Sequence, residues 1–343
     1  MSTLSKAVMR LGALALVLSL AAPAIAQDKP FKLIVTDLET PLVPNSVMDL
    51  ALQGGYFERE GVNVELVRVQ QTPSAIAAIQ SGEGDMANIG TDALLQLQAQ
   101  GNDSLKAVMS PNKSLPYLIA GKDEFNSVTD LAGHSFGVGR VGSLDYSLSL
   151  KVFEGLGLDA SKLDIVSLGQ PNVRAQALAA GRIDATTVSI GTWLSVPDKT
   201  GLKVLVSQDD YYAQAPAVSK VNVVNNTVLA ERHDDVEAVI RAIIKASRDF
   251  SADPQKWVDA MTKARPDISV DTLKELADNY KNSWSVNGGM NRKELDYTVG
   301  WLYEGEDFKN LPEVPFEKWA DLSLVDDVLA DIGKADGEDQ PVR

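Results

Sequence analysis

Cysteine is absent from the 343-residue chain, and histidine occurs only twice, as His134 and His233. The lack of cysteine excludes disulfides, thiolate catalysis and cysteine-ligated metal sites. Two histidines far apart in the sequence leave a carboxylate cluster as the remaining route to a metal site, and no segment has the spacing of a calcium-binding loop. We therefore expect no metal site.

Positive charge is also scarce. The chain has 32 Lys and Arg residues against 47 Asp and Glu residues, a formal net charge of −15 at pH 7. Such an acidic protein repels nucleic acid and anionic lipid surfaces, which we exclude as partners. After residue 26 no apolar run approaches the roughly 20 residues of a membrane-spanning helix, so we expect no membrane insertion.

The N-terminal stretch has the three parts of a secretory signal peptide. Two basic residues lie within the first ten, residues 11–20 are almost entirely apolar, and the small-residue pattern of a cleavage site ends at Ala26. We therefore expect a signal peptide over residues 1–26, with a mature protein that begins near Gln27 and is exported to the bacterial periplasm. No cysteine follows the apolar run, so no lipid anchor is expected.

Short apolar segments alternate with helical patterns in the first part of the chain. They predict strands at residues 31–36, 62–69 and 86–90, and a helix at residues 47–60. A further helix opens at Thr72, because Thr is a good N-cap and the proline after it fits the first helical position. This alternation predicts α/β units with mostly parallel sheets.

One pattern occurs twice, about a hundred residues apart. In each copy a helix is closed by a glycine, Gly82 or Gly181, and an aspartate, Asp85 or Asp184, precedes a strand that ends in small polar residues. A repeated unit of this kind predicts two similar lobes. Each would present strand C-termini and helix N-termini at one edge, which is where ligands bind in open α/β sheets.

Two crossovers are expected to join these lobes, near residues 112–118 and 217–223. The predicted division of the mature chain is lobe 1 at residues 27–113 and 220–332, lobe 2 at residues 114–219, and a polar, disordered tail at residues 333–343. Helical patterns dominate the C-terminal part, at residues 234–250, 254–264, 270–282 and 293–303.

The spacing Gly137-x-Gly139-x-x-Gly142 is that of a dinucleotide-binding turn. Such a site needs an acidic residue at the end of the next strand to hold the ribose, and the strand predicted at residues 163–168 ends without one. We therefore expect no nicotinamide, flavin or other cofactor. The glycines still let the backbone approach a bound group, and the free N–H groups of the helix opening at Ser143 would suit a small polar or anionic moiety.

Five ordered segments resemble those of a known family. They are QGGYFEREGV (53–62), IQSGEGDMA (79–87), SVTDLAG (127–133), GVGRVGS (137–143) and AGRIDA (180–185). Their order and spacing, over about residues 31–251, resemble the solute-binding proteins of ABC importers that carry sulfonates, taurine, nitrate or the thiamine pyrimidine precursor.

The resemblance implies an α/β, two-lobed periplasmic binding protein fold of type II, with mostly parallel central sheets, two crossovers and a ligand cleft between the lobes. It also implies a function. The protein would capture a small polar organic solute, such as a sulfonate, a taurine-like compound or an N-heterocycle, by hinged closure of the lobes. It would then deliver the solute to an ABC permease in the inner membrane, as a monomer and without chemistry on the ligand.

Residues that follow strands or open helices at the cleft edge are the candidates for ligand contact. The candidates are Asp37, Thr72, Ser74, Thr91 and Asp92 in lobe 1, and Ser143, Asp145, Tyr146, Asn172, Arg174 and Ser189 in lobe 2. The resemblance carries over most directly to Thr72, Ser74, Thr91, Ser143, Tyr146 and Ser189.

Each candidate also has a structural alternative. Capping alone would explain Thr72 and Ser143, and Asp145 would interact well with its helix dipole without a ligand. Arg174 could hold a sulfonate or carboxylate bidentately or lie exposed on its helix. Four aromatic residues could stack on a flat ligand or pack in the core: Tyr117, Tyr146, Trp193 and Trp284.

The second repeated strand departs from the sulfonate and taurine relatives, which often carry an aromatic and an acidic residue after it. Here Ser189 and Ile190 take those places, and the cleft edge offers more carboxylates than arginines. An amine, a hydroxyl-rich solute and an N-heterocycle therefore stay open beside the anions.

Two other functions are alternatives. Relatives include thiamine-pyrimidine synthases, but these use a cysteine-rich segment, so the absence of cysteine favours a protein that is not an enzyme. A periplasmic sensor subunit that presents its ligand to a receptor would have the same cleft, so only its partner would differ.

Overall fold

The computed structural model describes residues 29–112, 116–305, 307–337 and 339, so the predicted signal peptide lies outside the described residues. The strands are β1 (Phe31–Val35), β2 (Val64–Arg68), β3 (Met86–Gly90), β4 (Leu105–Met109), β5 (Tyr117–Lys122), β6 (Ser135–Val138), β7 (Asp164–Ser167), β8 (Ala185–Ser189), β9 (Leu202–Val206) and β10 (Lys220–Asn225). The first helices are α1 (Val47–Gln53), α2 (Tyr56–Arg59), α3 (Thr72–Gln80), α4 (Thr91–Ala99), α5 (Leu144–Gly155), α6 (Pro171–Ala179), α7 (Ile190–Leu194) and α8 (Gln208–Gln214). The others are α9 (Asn226–Glu231), α10 (His233–Ala252), α11 (Pro254–Ala264), α12 (Val270–Tyr280), α13 (Arg292–Tyr303), α14 (Phe316–Trp319) and α15 (Ser323–Ile332).

Two five-stranded sheets have the same topology. Their strand orders are β2-β1-β3-β10-β4 and β7-β6-β8-β5-β9. In each sheet one strand, β10 or β5, runs antiparallel to both of its neighbours, and the other described pairings are parallel. The α/β, two-lobed fold is thus confirmed, with mixed sheets in which four of the five strands run in the same direction. The repeated sequence pattern corresponds to equivalent units, β3 with α3 and β8 with α6. The exact lobe boundaries stay a prediction.

The two antiparallel strands reach the same edge of their sheets. The first residue of β10, Lys220, pairs with Gly90 at the end of β3. In the second sheet the first residue of β5, Tyr117, pairs with Ser189 at the end of β8. Each antiparallel strand therefore delivers its first side chain to the edge where the parallel strands end.

At the opposite edge of each sheet, where the parallel strands begin, the aspartate of the repeated pattern links neighbouring strands. Asp85 accepts a hydrogen bond from the backbone N–H of Lys32 at 2.8 Å, and Asp184 accepts one from the N–H of Ser135 at 2.9 Å. Both carboxylates also meet a cation, Arg232 at 2.9 Å for Asp85 and a lysine for Asp184. The repeated aspartate is thus a structural residue.

We expect Asp184→Asn to lower the free energy of unfolding at pH 7 by about 1 kcal/mol, because the charge-assisted bonds of a partly solvated carboxylate are lost. Burial raises the pKa of Asp184, but hydrogen bonds from Lys122 and Ser135 outweigh it and hold that pKa well below the ordinary value. A depressed pKa stabilises the fold above the unfolded-state pKa of about 4 and loses this contribution as the pH falls toward the folded-state pKa.

Urea unfolding between pH 7 and pH 2 checks this. The wild type should lose stability more steeply than Asp184→Asn below about pH 4, while the exposed position Asp164, changed to Asn, serves as the control. If the free energy of unfolding of the wild type and of Asp184→Asn fell equally with decreasing pH, the structural role of Asp184 would be contradicted.

Several boundaries differ from the sequence predictions. The helix predicted at residues 47–60 is split into α1 and α2 by Gly54 and Gly55, where Gly55 has a φ of 67°. Thr72 is not the N-cap but the first residue of α3, since its hydroxyl accepts a bond from the N–H of Gly90 instead. The strand at 86–90 and the helix at 254–264 are confirmed, while α14 and α15 were not predicted.

The C-terminal tail was expected to be disordered, but its described residues pack against the body of the protein. Asp339 is fully buried and accepts hydrogen bonds from the N–H groups of Asn287 and Gly289. Ala335 also bonds to Asn287, and Arg248 donates to the carbonyl of Gly333. Buried acceptors and donors on the 287–289 loop therefore order this stretch.

The long helix α10 forms the centre of the helical part, packing against α1, α2, α11 and α15. One face of it is apolar and buried, which matches its strong amphipathic pattern. Within the described residues, no helix is both long enough and apolar enough to cross a membrane.

Candidate functional site

The strand C-termini of β1 and β3 in the first sheet, and of β6 and β8 in the second, carry most of the predicted site residues. Helices α4, α5 and α7 begin where β3, β6 and β8 end or shortly after. Open α/β sheets bind ligands at this edge, because the helix N-termini present unpaired N–H groups there.

Three predicted residues of lobe 2 form one cluster around Gly139. The carboxylate of Asp145 accepts a hydrogen bond from the N–H of Gly139 at 2.8 Å and lies 2.6 Å from the hydroxyl of Ser143. Arg174 completes the cluster with an Nη2 to Oδ2 distance of 3.2 Å to Asp145. We call Gly139, Ser143, Asp145 and Arg174 the Gly139 cluster.

Arg174 is buried, with 3 % of its surface exposed, so the alternative of an exposed helix arginine is wrong. Its Nε and Nη2 both donate to the carbonyl of Thr187, at 3.3 and 3.0 Å, and its Nη1 donates to the carbonyl of Gly169. The guanidinium therefore links α6 to the ends of β7 and β8 and to the start of α5. Most of its donors are already used within the protein.

The glycine turn has a steric reason that involves no dinucleotide. A Cβ at position 139 would lie 3.1 Å from the Asp145 carboxylate, 3.4 Å from the Ser143 hydroxyl and 3.5 Å from the Arg174 guanidinium. Gly142 has a φ of 80°, which disfavours other residues. The turn thus brings a backbone N–H to a buried carboxylate.

In lobe 1, three predicted residues surround Gly90. Thr72 accepts from the Gly90 N–H at 3.2 Å, and the carboxylate of Asp92 lies against the same glycine, where a Cβ would clash with it. Thr91 is 1 % exposed and its N–H donates to Ser219. Desolvation raises the pKa of Asp92, although backbone N–H bonds from Ala93 and from Asp92 itself lower it.

Asp37 and a residue missed from the sequence lie at the end of β1. Asp37 is half-buried, and the amide of Asn45 is 3.5 Å from its carboxylate. The missed residue is Lys220, whose Nζ donates to the hydroxyl of Thr36 at 2.5 Å. Burial lowers the pKa of Lys220, and the negative charge of Asp37 partly offsets this. The one signal in the sequence is a lone lysine at the start of the segment KVNVVN, which forms β10.

Tyr117 lies at the corresponding place in the second sheet. Burial raises its pKa to about 12; Asp145 adds to this shift, and Arg174 opposes it. Its ring packs edge to face on Tyr211 at 5.9 Å. Of the other aromatic candidates, Trp193 and Trp284 are buried, as core packing predicts.

Two cavities are lined by residues that follow strands of both sheets. The larger, about 470 Å³, brings together Asn172 and Ser189 with Leu42 of the loop after β1 and Arg265. The smaller, about 90 Å³, lies between Asp92 and the turn before α5, with Trp301 on its wall.

The remaining candidates are less enclosed. Ser74 is exposed on the first turn of α3, and Tyr146 is half-buried on α5. Ser189 is the N-cap of α7 and accepts a bond from the N–H of Thr192. Ligand contact by each of the predicted residues stays a prediction.

Exposed apolar side chains lie at the same edges. Leu38 follows β1 and is 62 % exposed, and Val141 in the glycine turn is 60 % exposed. Val173 on the first turn of α6 is also exposed. Large apolar side chains in such positions favour a ligand with an apolar part.

Comparisons with known proteins found a matching family model and similar sequences. A family model described as NMT1/THI5 like matches residues 47–257. A protein of Brucella abortus (strain 2308), named as a binding protein, is 29 % identical over 225 residues, which cover 64 % of this chain and 67 % of that protein.

Solved structures show the same fold at low sequence identity. The periplasmic sulfonate-binding protein SsuA of Methylobacillus flagellatus KT superposes with a TM-score of 0.71 at 15 % identity, covering 89 % of this chain and 94 % of that one. The desulfurization enzyme DSZB superposes with a TM-score of 0.64, also at 15 % identity, covering 88 % and 99 %. This fold therefore occurs in a binding protein and in an enzyme.

Proposed function

The chain belongs to the NMT1/THI5-like family, and we propose that it is the periplasmic substrate-binding component of an ABC importer. It captures a small polar organic solute between its lobes and delivers it to a membrane permease. The observation that carries this proposal is the meeting of two sheet edges: a Cβ on Gly191, in α7, would lie 3.4 Å from Leu42 in the loop after β1. A hinged clamp needs such contacts between its two halves.

The position of the histidines supports binding rather than catalysis. His134 precedes β6, at the edge opposite the cleft, where its Nδ1 lies 3.5 Å from Asp184. His233 opens α10 and meets Glu237 at 3.6 Å. Neither is beside the hydroxyl groups at the strand C-termini, so no described histidine is placed as a general base for a cleft nucleophile.

The solute class follows from what the cleft edge offers. Apolar surface at Leu38 and Val141 suits an organic body, and the hydroxyl groups, carboxylates and the lysine at the strand ends suit polar substituents. Sulfonates, taurine-like compounds and N-heterocycles all meet this description. A sensor subunit would use the same cleft. The two functions are separated by the partner that the ligand-bound protein binds, which is the detergent-solubilised permease for transport and a receptor kinase for sensing.

Ligand binding should stabilise and compact the protein. After unfolding and refolding to remove bound solute, a panel of sulfonates, taurine, carboxylates, amines and thiamine precursors is screened by thermal shift. A ligand at a hundred times its dissociation constant adds about 2.7 kcal/mol of stability. Small-angle scattering with the same ligand should show a smaller radius of gyration, because closure buries the solute between the lobes. A tight ligand that leaves the radius of gyration unchanged would contradict hinged closure.

A further inference from the structure

Lys220 places an ammonium group at the centre of the lobe 1 edge. It pairs with Gly90 at the end of β3, and its Nζ bonds to Thr36, directly after β1. The parallel strands β1 and β3 are neighbours in the sheet. The charge therefore lies at the C-termini of two adjacent parallel strands, where ligands bind in this class of sheet.

Lys220 has no ion-pair partner among the described residues, although the negative charge of Asp37 acts on it from beyond 4 Å. In the described part of the chain no carboxylate oxygen lies within 4 Å of its Nζ, whereas Arg174 in lobe 2 is paired with Asp145. Thr36 accepts one of the three ammonium hydrogens. The two others have no described acceptor on a side chain that is half-buried, and a ligand could supply one.

A second polar group at this corner also lacks a partner. The hydroxyl of Thr91 is buried and has no hydrogen-bond partner among the described residues. The N–H of Thr91 donates to Ser219, the residue before Lys220. Buried hydroxyls without partners are rare in folded proteins, and this one belongs to the residue after Gly90, the strand partner of Lys220.

We propose that Lys220 is the specificity-determining residue of the cleft and that its ammonium, oriented by Thr36, binds a singly charged oxyanion on the solute, a carboxylate or a sulfonate. The organic body of the solute lies along Leu38 and Val141. This inference rests on the proposed function, because it assumes that the cleft holds a solute.

The test uses matched probes that differ only in their charged group. Butyrate, benzoate, butanesulfonate and benzenesulfonate are the anions, butanamide and benzamide are the neutral analogues, and butylamine and benzylamine are the cations. Dissociation constants are measured by calorimetry and by thermal shift on the refolded full chain. The wild type should bind anions and discriminate against the amides and amines, and the ranking of carboxylates against sulfonates identifies the oxyanion.

Lys220→Met should weaken anion binding by about 30-fold or more, since a charge-assisted bond at a half-buried position is lost. Lys220→Arg should retain most of the affinity. The matched control is Lys106→Met, which removes a lysine from the opposite edge of the same sheet, where β4 begins. Removing a half-buried charge without an ion-pair partner should leave the fold intact, and urea unfolding of Lys220→Met and of Lys220→Gln checks this.

The proposal is overturned if Lys220→Met binds the anions as tightly as the wild type, if the amides or amines bind the wild type equally well, or if none of the four anions stabilises it. These outcomes are distinguishable from failure of the proposed function. A solute that compacts the protein but binds independently of Lys220 removes only this inference. The absence of compaction with any tight-binding solute removes the proposed function itself.

Discussion

Replacing Arg174 by methionine lowers the free energy of unfolding by about 3 kcal/mol. The change leaves the Asp145 carboxylate buried without its cation and removes the donors that satisfy the carbonyls of Thr187 and Gly169. Breaking a buried ion pair from one side is far more damaging than removing both partners, because the remaining charge keeps its desolvation cost. Urea unfolding monitored by tryptophan fluorescence measures the effect.

The double variant Arg174→Met, Asp145→Asn should recover part of this loss, since no charge is then left unpaired. Arg182→Met, a change at an exposed arginine just beyond the same helix, is the control and should alter stability by less than about 0.5 kcal/mol. An Arg174→Met protein that is as stable as the wild type and fails only to bind its solute would contradict the structural role of the Gly139 cluster.

This prediction decides between two interpretations that the sequence left open. An arginine at the first turn of a helix near the cleft edge is suited to hold an anionic ligand, and the sequence cannot show that it is buried. The structure gives the guanidinium protein acceptors on three sides. Lobe 2 thus has an internally paired cluster around Arg174, whereas Lys220 at the edge of lobe 1 has no described carboxylate within 4 Å.

Much of the architecture could be predicted because it follows from local pattern. The apolar run at 86–90, bounded by an aspartate and a small polar residue, predicts β3 correctly. The repeated glycine and aspartate predict two equivalent units, which both sheets confirm. Such features depend on neighbouring residues and on the alternation of strand and helix.

Contacts between distant segments could not be predicted in this way. Lys220 reaches the end of β1 only because β10 returns to the first sheet as an antiparallel strand, and nothing near Thr36 in the sequence indicates this. Thr72 has a good sequence pattern for an N-cap, but the N–H of Gly90 competes for its hydroxyl. In both cases tertiary hydrogen bonding outweighs local preference.

A pair of cysteines at Leu42 and Gly191 should lock the lobes together. The native chain has no cysteine, so the Leu42→Cys, Gly191→Cys variant forms one disulfide without competing thiols. A Cβ at position 191 would lie 3.4 Å from the Leu42 Cβ, close to the range of about 3.5–4.5 Å found in disulfides. Gly191 has no positive φ, so a side chain there is not strained. The oxidised, ligand-free variant should have the small radius of gyration of the ligand-bound wild type.

Reduction should release the lobes and return the ligand-free radius of gyration to that of the open wild type, which separates the crosslink from the effect of the substitutions. The two single variants, which cannot crosslink within the chain, should behave as the wild type in both conditions.

The crosslink also closes a loop of roughly 150 residues. The free energy of unfolding of the oxidised form should therefore exceed that of the reduced form by about 5 kcal/mol. An oxidised variant that keeps the radius of gyration of the reduced one would mean that Leu42 and Gly191 stay in contact without ligand. The lobes would then stay in contact at this point when the solute enters, and any closing motion would involve other contacts between them.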